Sequence, residues 1–267
     1  MTPQRALADL HAAAETLWQA VAPLWPGFAI EVLPTIDSTN TELMRRARQG
    51  LADPLLLVAA EQTAGRGRQG RNWVSRPGGS LTFSLGLPLR PADWSGLSLA
   101  VGVSLAEALH SDVRLKWPND LWWQDRKLGG ILVETANVGS GRYAIIGIGL
   151  NVTTPKLPET PPDLHGAAPM PAVGLHTLAP QVALTAGGWL AQVLPALVRD
   201  LLVFEREGFA AFQARFSQRD ALRGRVVRLS DGQEGMADGV RADGALWLQG
   251  PCGRVAVVQQ EVSVRPC

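Results

Sequence analysis

The stretch Glu61-Gln62-Thr63-Ala64-Gly65-Arg66-Gly67-Arg68-Gln69-Gly70-Arg71-Asn72-Trp73-Val74-Ser75-Arg76-Pro77-Gly78-Gly79-Ser80-Leu81-Thr82-Phe83-Ser84 sits between two strand-like runs. Before it, Leu55 to Ala60 is continuously apolar; after it, Ser80 to Leu87 alternates, and a long connection between strands is usually kept for function. Gly65, Gly67 and Gly70 let the backbone approach a ligand, while Arg66, Arg68 and Arg71 offer planar donor forks suited to phosphate or carboxylate. A solvated basic loop, or a loop tracking a nucleic-acid backbone with Trp73 as a stacking platform, are the competing readings. The formal net charge of +1 gives no broad electrostatic footprint for DNA or RNA, so the positive charge is local and a small anionic ligand fits better.

Outward from this loop, 267 residues with an apolar share of 46% predict a globular protein with a sizeable core and no stretch long enough to cross a bilayer. Met1 to Gly27 spaces Leu7, Leu10, Leu17, Trp18 and Val21 as one helical face, unlike a signal peptide. Two cysteines, Cys252 and Cys267, argue against a disulfide framework and suit the cytoplasm; His11, His110, His165 and His176 show no ligand spacing, so no metal site is expected. Only three of the 25 basic residues are lysines, Lys116, Lys127 and Lys156. A compact ammonium reaches where a guanidinium fork does not, which marks Lys116 and Lys127, in their dense contexts, as candidates. Lys156 lies in a Pro-rich loop and carries no such reading.

Ala29 to Leu33 reads as a strand, and Asp37-Ser38-Thr39-Asn40 leads into a helix ending near Gly50. Thr39 with Glu42 matches a capping box, which places the Ser-Thr-Asn triplet at a helix N-terminus that also welcomes a polar ligand. A buried helix is expected over Gly96 to Leu109, a strand over Val113 to Trp117, and a turn at Lys116-Trp117-Pro118-Asn119-Asp120, where lysine, amide and carboxylate could also serve a ligand. Strands follow around Trp122-Trp123 and Lys127 to Glu134, where Gly129 and Gly130 signal a bulge or a close backbone neighbour. Another covers Arg142 to Asn151, with Asn151 at its end. Thr153 to Pro180 reads as a Pro-rich surface insertion, Gln181 to Glu205 and Gly208 to Phe216 as helices. Short strand-like runs at Val226 to Leu229, Gly235 to Val240, Ala245 to Leu248 and Arg254 to Val258, separated by Asp-Gly and Gly-Pro turns, predict a small β-barrel module.

The order of these motifs resembles the biotin protein ligases. Ser38-Thr39-Asn40, Gly65-Arg66-Gly67-Arg68 with Gly70-Arg71 and Trp73, Lys116-Trp117-Pro118-Asn119-Asp120, Lys127 with Gly130-Ile131-Leu132, and Gly147-Ile148-Gly149 with Asn151 all occur in that family's order. The resemblance implies an α/β (α+β) fold: a mixed-sheet catalytic domain of the class II aminoacyl-tRNA-synthetase type over residues 1–218, then an SH3-like β-barrel over 219–267. It makes Ser38, Thr39, Asn40, Gln62, Arg66, Gly67, Arg68 and Lys127 biotin contacts, and Arg68, Arg71, Trp73, Asn119, Asp120, Asn151 and Arg265 the ATP or adenylate site. Lys127 and Arg68 are the implied catalytic residues. Gln69 departs from relatives that carry arginine there.

By the same resemblance, biotin and Mg-ATP give biotinyl-5'-AMP and pyrophosphate, and a lysine of the biotin carboxyl carrier protein of acetyl-CoA carboxylase, or of another biotin-dependent carboxylase, takes the biotin. Fewer than forty residues precede Ser38, so a short form without the N-terminal DNA-binding domain of some relatives is expected, with neither DNA nor a membrane as partner. A lipoate-type ligase shares the acyl-adenylate chemistry and stays open as an alternative, as does the nucleic-acid-binding module.

Overall fold

The computed structural model describes residues 1–156, 171–182, 184–251, 253–258 and 264–266, with Arg265 described by its backbone alone. In chain order the elements are α1 (Pro3–Val21), β1 (Ala29–Ile36), α2 (Thr39–Arg48), β2 (Leu55–Gln62), the short β3 (Gly65–Arg66) and β4 (Asn72–Trp73), and β5 (Ser80–Leu87). Then come α3 (Leu97–Leu109), β6 (Arg114–Lys116), β7 (Asp120–Trp123), β8 (Arg126–Val138), β9 (Gly141–Asn151), α4 (Leu175–Leu178), α5 (Ala186–Glu207) and α6 (Gln213–Arg219). The last strands are β10 (Val226–Leu229), β11 (Glu234–Val240), β12 (Leu246–Gly250), β13 (Gly253–Val257) and β14 (Val264–Pro266). Two compact units result, one from Met1–Arg90 with Trp123–Pro195, the other from Pro91–Trp122 with Ala196–Cys267.

In the first unit, α1 starts at a Thr2 cap with Pro3 behind it and buries Ala6, Leu10, Leu17 and Val21 at helical spacing. The helix packs on β1 and β2. Its sheet is mixed: β1 runs parallel to β2, and β2, β5, β9 and β8 follow as antiparallel neighbours. Every residue of β5 is buried, so the alternation read from Ser80 to Leu87 separates two enclosed faces rather than core from solvent. α2 lies on one of those faces, where Leu43 and Ala47 meet Leu57, Ala136, Tyr143 and Ile145. Burial pushes the Tyr143 phenol well up, and its hydroxyl donates to the Asp53 carbonyl at 2.8 Å.

Side chains alternate along a strand, so Tyr143, Ile145, Gly147, Gly149 and Asn151 of β9 share that face. Cross-strand register sets Ser84 against Gly147 and Thr82 against Gly149 on β5, with Leu132 and Gly130 opposite them on β8. The face thus passes from an aromatic and aliphatic floor beneath the helix to one of small and polar residues beyond it. β8 runs in register through both Gly129 and Gly130, so of the two readings of that glycine pair the bulge is not the one realised.

In the second unit α3 is enclosed on nearly every side, and β6 and β7 form a hairpin around the cis Trp117–Pro118 peptide. The strands β13, β12, β11, β10 and β14 form an antiparallel sheet in that order. Trp117 is fully buried and its Nε1 donates to the Gly244 carbonyl at 2.9 Å. Gly244 comes so close to the start of α3 that a Cβ there would lie 2.9 Å from the Gly96 Cα.

Three expectations need correction. Ser38, not Thr39, caps α2 by accepting from the Thr41 backbone N–H, because both the N–H and the hydroxyl of Thr39 are drawn to Gln62 Oε1; Glu42 pairs with Arg45 and Arg46 instead of completing a box. The end of the Thr153 to Pro180 stretch is no surface insertion: Val173 and Leu175 are wholly buried, with Ala172 bridging Lys127 in parallel fashion. α5 is long and apolar enough to cross a membrane by length and composition, contrary to the sequence reading, yet Trp189, Leu190, Val193, Leu194, Leu197, Val198, Leu201 and Phe204 along it are almost entirely buried.

Candidate active site

Of the predicted ligand residues, Thr39, Asn40, Gln62, Arg66 and Trp73 come together at the small, polar end of the sheet face. Thr39 and Asn40 occupy the first turn of α2 and are almost fully buried. Thr39 donates from its backbone N–H to Gln62 Oε1 at 2.8 Å and from its hydroxyl to the same oxygen at 3.0 Å. The Ser84 hydroxyl on β5 lies 2.6 Å from both Thr39 Oγ1 and Asn40 Oδ1, one hydroxyl hydrogen serving two acceptors. The Asn40 amide donates to the Leu132 carbonyl at 3.1 Å and to Glu134 Oε2 at 2.9 Å. Buried polar groups persist only when paired, and this chain of bonds pairs them across α2, β2, β5 and β8.

The glycines of β9 make the arrangement possible. A Cβ at Gly147 would fall 2.2 Å from Asn40 Oδ1, and one at Gly149 would fall 2.5 Å from the Trp73 indole. The indole therefore lies directly over the backbone of β9, with its Nε1 buried and without a hydrogen-bond partner among the described residues. A buried donor left in this way favours an acceptor on an incoming ligand.

The arginine loop proves to be a small hairpin. Gly65 and Arg66 pair with Trp73 and Asn72, and a tight 3-10 turn at Arg68–Gly70 closes it, with the Gly67 N–H donating to the Arg71 carbonyl at 2.7 Å. Gln69 takes a left-handed conformation at φ 55° and Gly70 follows at 70°. Such a turn holds Arg68 and Arg71 at its two ends, and Arg71 is exposed. Arg66 reaches back to the sheet, donating to Glu134 Oε1 at 3.0 Å and to Thr41 Oγ1 at 3.2 Å.

Lys127 stands at the start of β8 with its backbone clamped on both sides. Its N–H donates to the Pro171 carbonyl at 2.8 Å, and its carbonyl accepts from Val173 N at 3.0 Å and Asn151 Nδ2 at 3.2 Å. Asn151, at the end of β9, is thus joined to the rare lysine of the sequence. In the second unit Lys116 is buried and ion-paired with Asp120 at 3.6 Å, with its ammonium 5.4 Å from the Trp122 ring centroid. Asn119 ends that hairpin turn and Asp120 opens β7. The side chain of Arg265 lies outside the described residues; its backbone in β14 pairs with Arg228.

Sequence reasoning passed over three contributors. Ser84 was legible as a polar position on the same strand face as Thr82. Glu134 looked like the end of an apolar run, and its two bonds join residues 68 and 94 positions away, which no local pattern encodes. Residues 171–173 were hidden by the proline-rich composition around them.

Comparison with known proteins fits this geometry. Residues 32–151, from β1 to the end of β9, match the Biotin/lipoate A/B protein ligase family. The chain is 36% identical over 233 residues to the Bifunctional ligase/repressor BirA of Escherichia coli, covering 84% of this chain and 70% of that protein. It is 33% identical over 245 residues to the Biotin--[acetyl-CoA-carboxylase] ligase of Paracoccus denitrificans, covering 86% and 98% respectively. A biotin protein ligase from Aquifex aeolicus, solved in complex with biotin and ATP, superposes with a TM-score of 0.74 at 28% identity, over 89% of this chain and 99% of that one. The chain belongs to the biotin/lipoate protein ligase family.

Proposed function

We propose that this protein is a biotin protein ligase, which activates biotin with ATP to biotinyl-5'-AMP and transfers the biotinyl group to a lysine of a biotin carboxyl carrier protein. The observation that carries the reading is the closed polar chain Gln62–Thr39–Ser84–Asn40 on the same sheet face as Gly149 with its covering indole. A bicyclic urea presents N–H and C=O groups that such a floor can pair, and pairing buried polar groups discriminates strongly against an analogue that lacks them.

In the first step a biotin carboxylate oxygen attacks the α-phosphorus of ATP, a P–O bond forms, and pyrophosphate leaves with the bridging electrons. Two anions must approach each other. Ser38, Thr39, Asn40, Gln62, Arg66, Gly67, Arg68 and Lys127 are proposed to hold biotin, with Arg68, Arg71, Trp73, Asn119, Asp120, Asn151 and Arg265 at the nucleotide. The Lys127 ammonium and Arg68 guanidinium would offset the repulsion and stabilise charge developing on the phosphoryl oxygens. ATP enters as its Mg2+ complex, and among the described residues no cluster of three His, Cys, Asp or Glu side chains stands ready to take that ion from the polyphosphate.

In the second step the acceptor lysine's amine attacks the acyl carbon, the acyl–O bond breaks, and AMP departs. The name of the Paracoccus relative supports the carrier protein of acetyl-CoA carboxylase as acceptor. Division into a catalytic domain over 1–218 and an SH3-like domain over 219–267 belongs to the same reading, supported by the antiparallel sheet from β10 to β14, as does a cytoplasmic location. Because the family spans both cofactors, the deciding measurement is pyrophosphate exchange into ATP with biotin, with lipoate and with neither acid. Exchange stimulated by biotin alone is expected; stimulation by lipoate alone would overturn the assignment.

A further inference from the structure

Glu134 carries no role in the reading above, yet it touches two of that reading's biotin residues at once. Its Oε1 accepts from Arg66 in the hairpin at 3.0 Å, and its Oε2 accepts from the Asn40 amide in α2 at 2.9 Å. We propose that Glu134 is a positioning residue of the adenylation site: one carboxylate couples the arginine hairpin to the polar floor and so sets the geometry of both for the acid substrate. The inference rests on the biotin ligase reading.

Asn40 presents a nitrogen and an oxygen of nearly equal size, and only its neighbours decide which way it faces. The Glu134 carboxylate and the Leu132 carbonyl accept without donating, so together they turn Nδ2 toward β8. Oδ1 is thereby left for the Ser84 hydroxyl, above the hydrogen-only space of Gly147. The orientation passes onward through Ser84 to Thr39 and through Thr39 to Gln62. Two polar ends of the floor, far apart in sequence, are ordered by one carboxylate.

The two halves of the contact differ in weight. The Arg66 side chain is 46% exposed, and an ion pair so open to water contributes little by itself. Asn40 is 3% exposed, so withdrawing its acceptor strands a buried amide donor. The pair with Arg66 therefore acts chiefly by placing the guanidinium, which also donates to Thr41 and is held between β8 and α2. A role of this kind governs how well substrate is held rather than how fast the bound groups react.

The test uses the whole chain with Glu134→Ala, Glu134→Gln, Arg66→Ala and the Arg66→Ala/Glu134→Ala double variant, in biotin-dependent pyrophosphate exchange alongside thermal unfolding. For Glu134→Ala the KM for biotin should rise about tenfold with kcat within about twofold of wild type, the scale of losing the buried contact with Asn40, since the exposed pair with Arg66 adds little. Glutamine offers one acceptor oxygen where the carboxylate offers two, so Glu134→Gln should fall between and keeps the test open should the alanine variant unfold. Arg66→Ala should raise KM less in the Glu134→Ala background than in wild type, because the two act as a unit. Additive effects, an unchanged KM, or a fall in kcat and melting temperature with KM unchanged would overturn the proposal while leaving the ligase reading intact. A wild type that exchanges with lipoate but not biotin would remove both.

Discussion

The polar floor around Asn40 and the turn at Lys116–Asp120 are both buried, both polar and both prominent in the sequence, yet they are held by opposite means. At the turn, lysine and aspartate four residues apart close on each other at 3.6 Å beside Trp122, so the group that most needs a partner finds it within its own hairpin. At the floor, no residue is satisfied locally: Asn40 depends on β5 and β8, and Thr39 on β2. An ion pair inside one hairpin can form with that hairpin, whereas a non-local chain of bonds exists only when the sheet is assembled in register. The second therefore ties the shape of a ligand site to the integrity of the fold.

Removing the Lys127 ammonium should give the largest effect. Lys127→Ala is expected to lower biotin-dependent pyrophosphate exchange by at least about a hundredfold, in the range seen when one stabilising donor is lost from a preorganised site. Its backbone clamp is untouched, so circular dichroism and thermal unfolding should match wild type; normal exchange by the folded variant would refute the role. Gly147→Ala comes next. The added Cβ would meet Asn40 Oδ1 at 2.2 Å, and overpacking of this kind costs about 1–3 kcal/mol, or several degrees of melting temperature. Because the strain falls on the floor, the KM for biotin should rise as stability falls; a stability loss alone would show that the floor is mere packing.

Arg68→Ala sharpens the part played by the hairpin. Escape or hydrolysis of biotinyl-AMP should be about tenfold faster, as read by rapid filtration of preformed adenylate complex. Unchanged retention would leave that arginine without a function in the site.

The smallest effect belongs to the turn's surroundings and concerns stability only. Asp220 bridges Leu115 of β6, and burial raises its carboxyl above the ordinary 3.8, one oxygen having no hydrogen-bond partner among the described residues. From that pH up to the raised folded value the folded chain keeps a proton that the unfolded chain releases, so stability falls as pH rises through that window. In Asp220→Asn this fall should flatten, with exchange kinetics unaltered. A variant that kept the slope would show that another group causes it.

Much of the scaffold was legible from local pattern. The strand runs at Leu55 to Ala60 and Arg142 to Asn151 were read from apolar continuity, and the short strands after Arg219 from their turn residues; the structure has strands in all these places. Boundaries failed where a tertiary partner outbid a local one. Thr39 looks like a cap and is taken by Gln62, 23 residues on, which leaves the cap to Ser38. The glycines were legible as places of close approach, but what approaches them was not: a Cβ at Gly147 meets an amide and at Gly149 an indole, while at Gly70 it meets nothing within 4 Å.

By itself the sequence determined which chemistry the chain can offer: three arginine forks on a glycine-punctuated turn, a scarce lysine at a strand start, and a Ser-Thr-Asn triplet opening a helix. It also determined the mixed helix and strand order, because hydrophobic periodicity and turn residues act over a few positions. What the assembled fold adds is that Glu134 answers both Arg66 and Asn40 and that Ser84 links Thr39 to Asn40. The physical reason is range. Propensity and capping are settled within a turn of chain, but a buried donor accepts whichever acceptor the finished sheet brings within about 3 Å, and that choice is made by strand register rather than by neighbours in sequence.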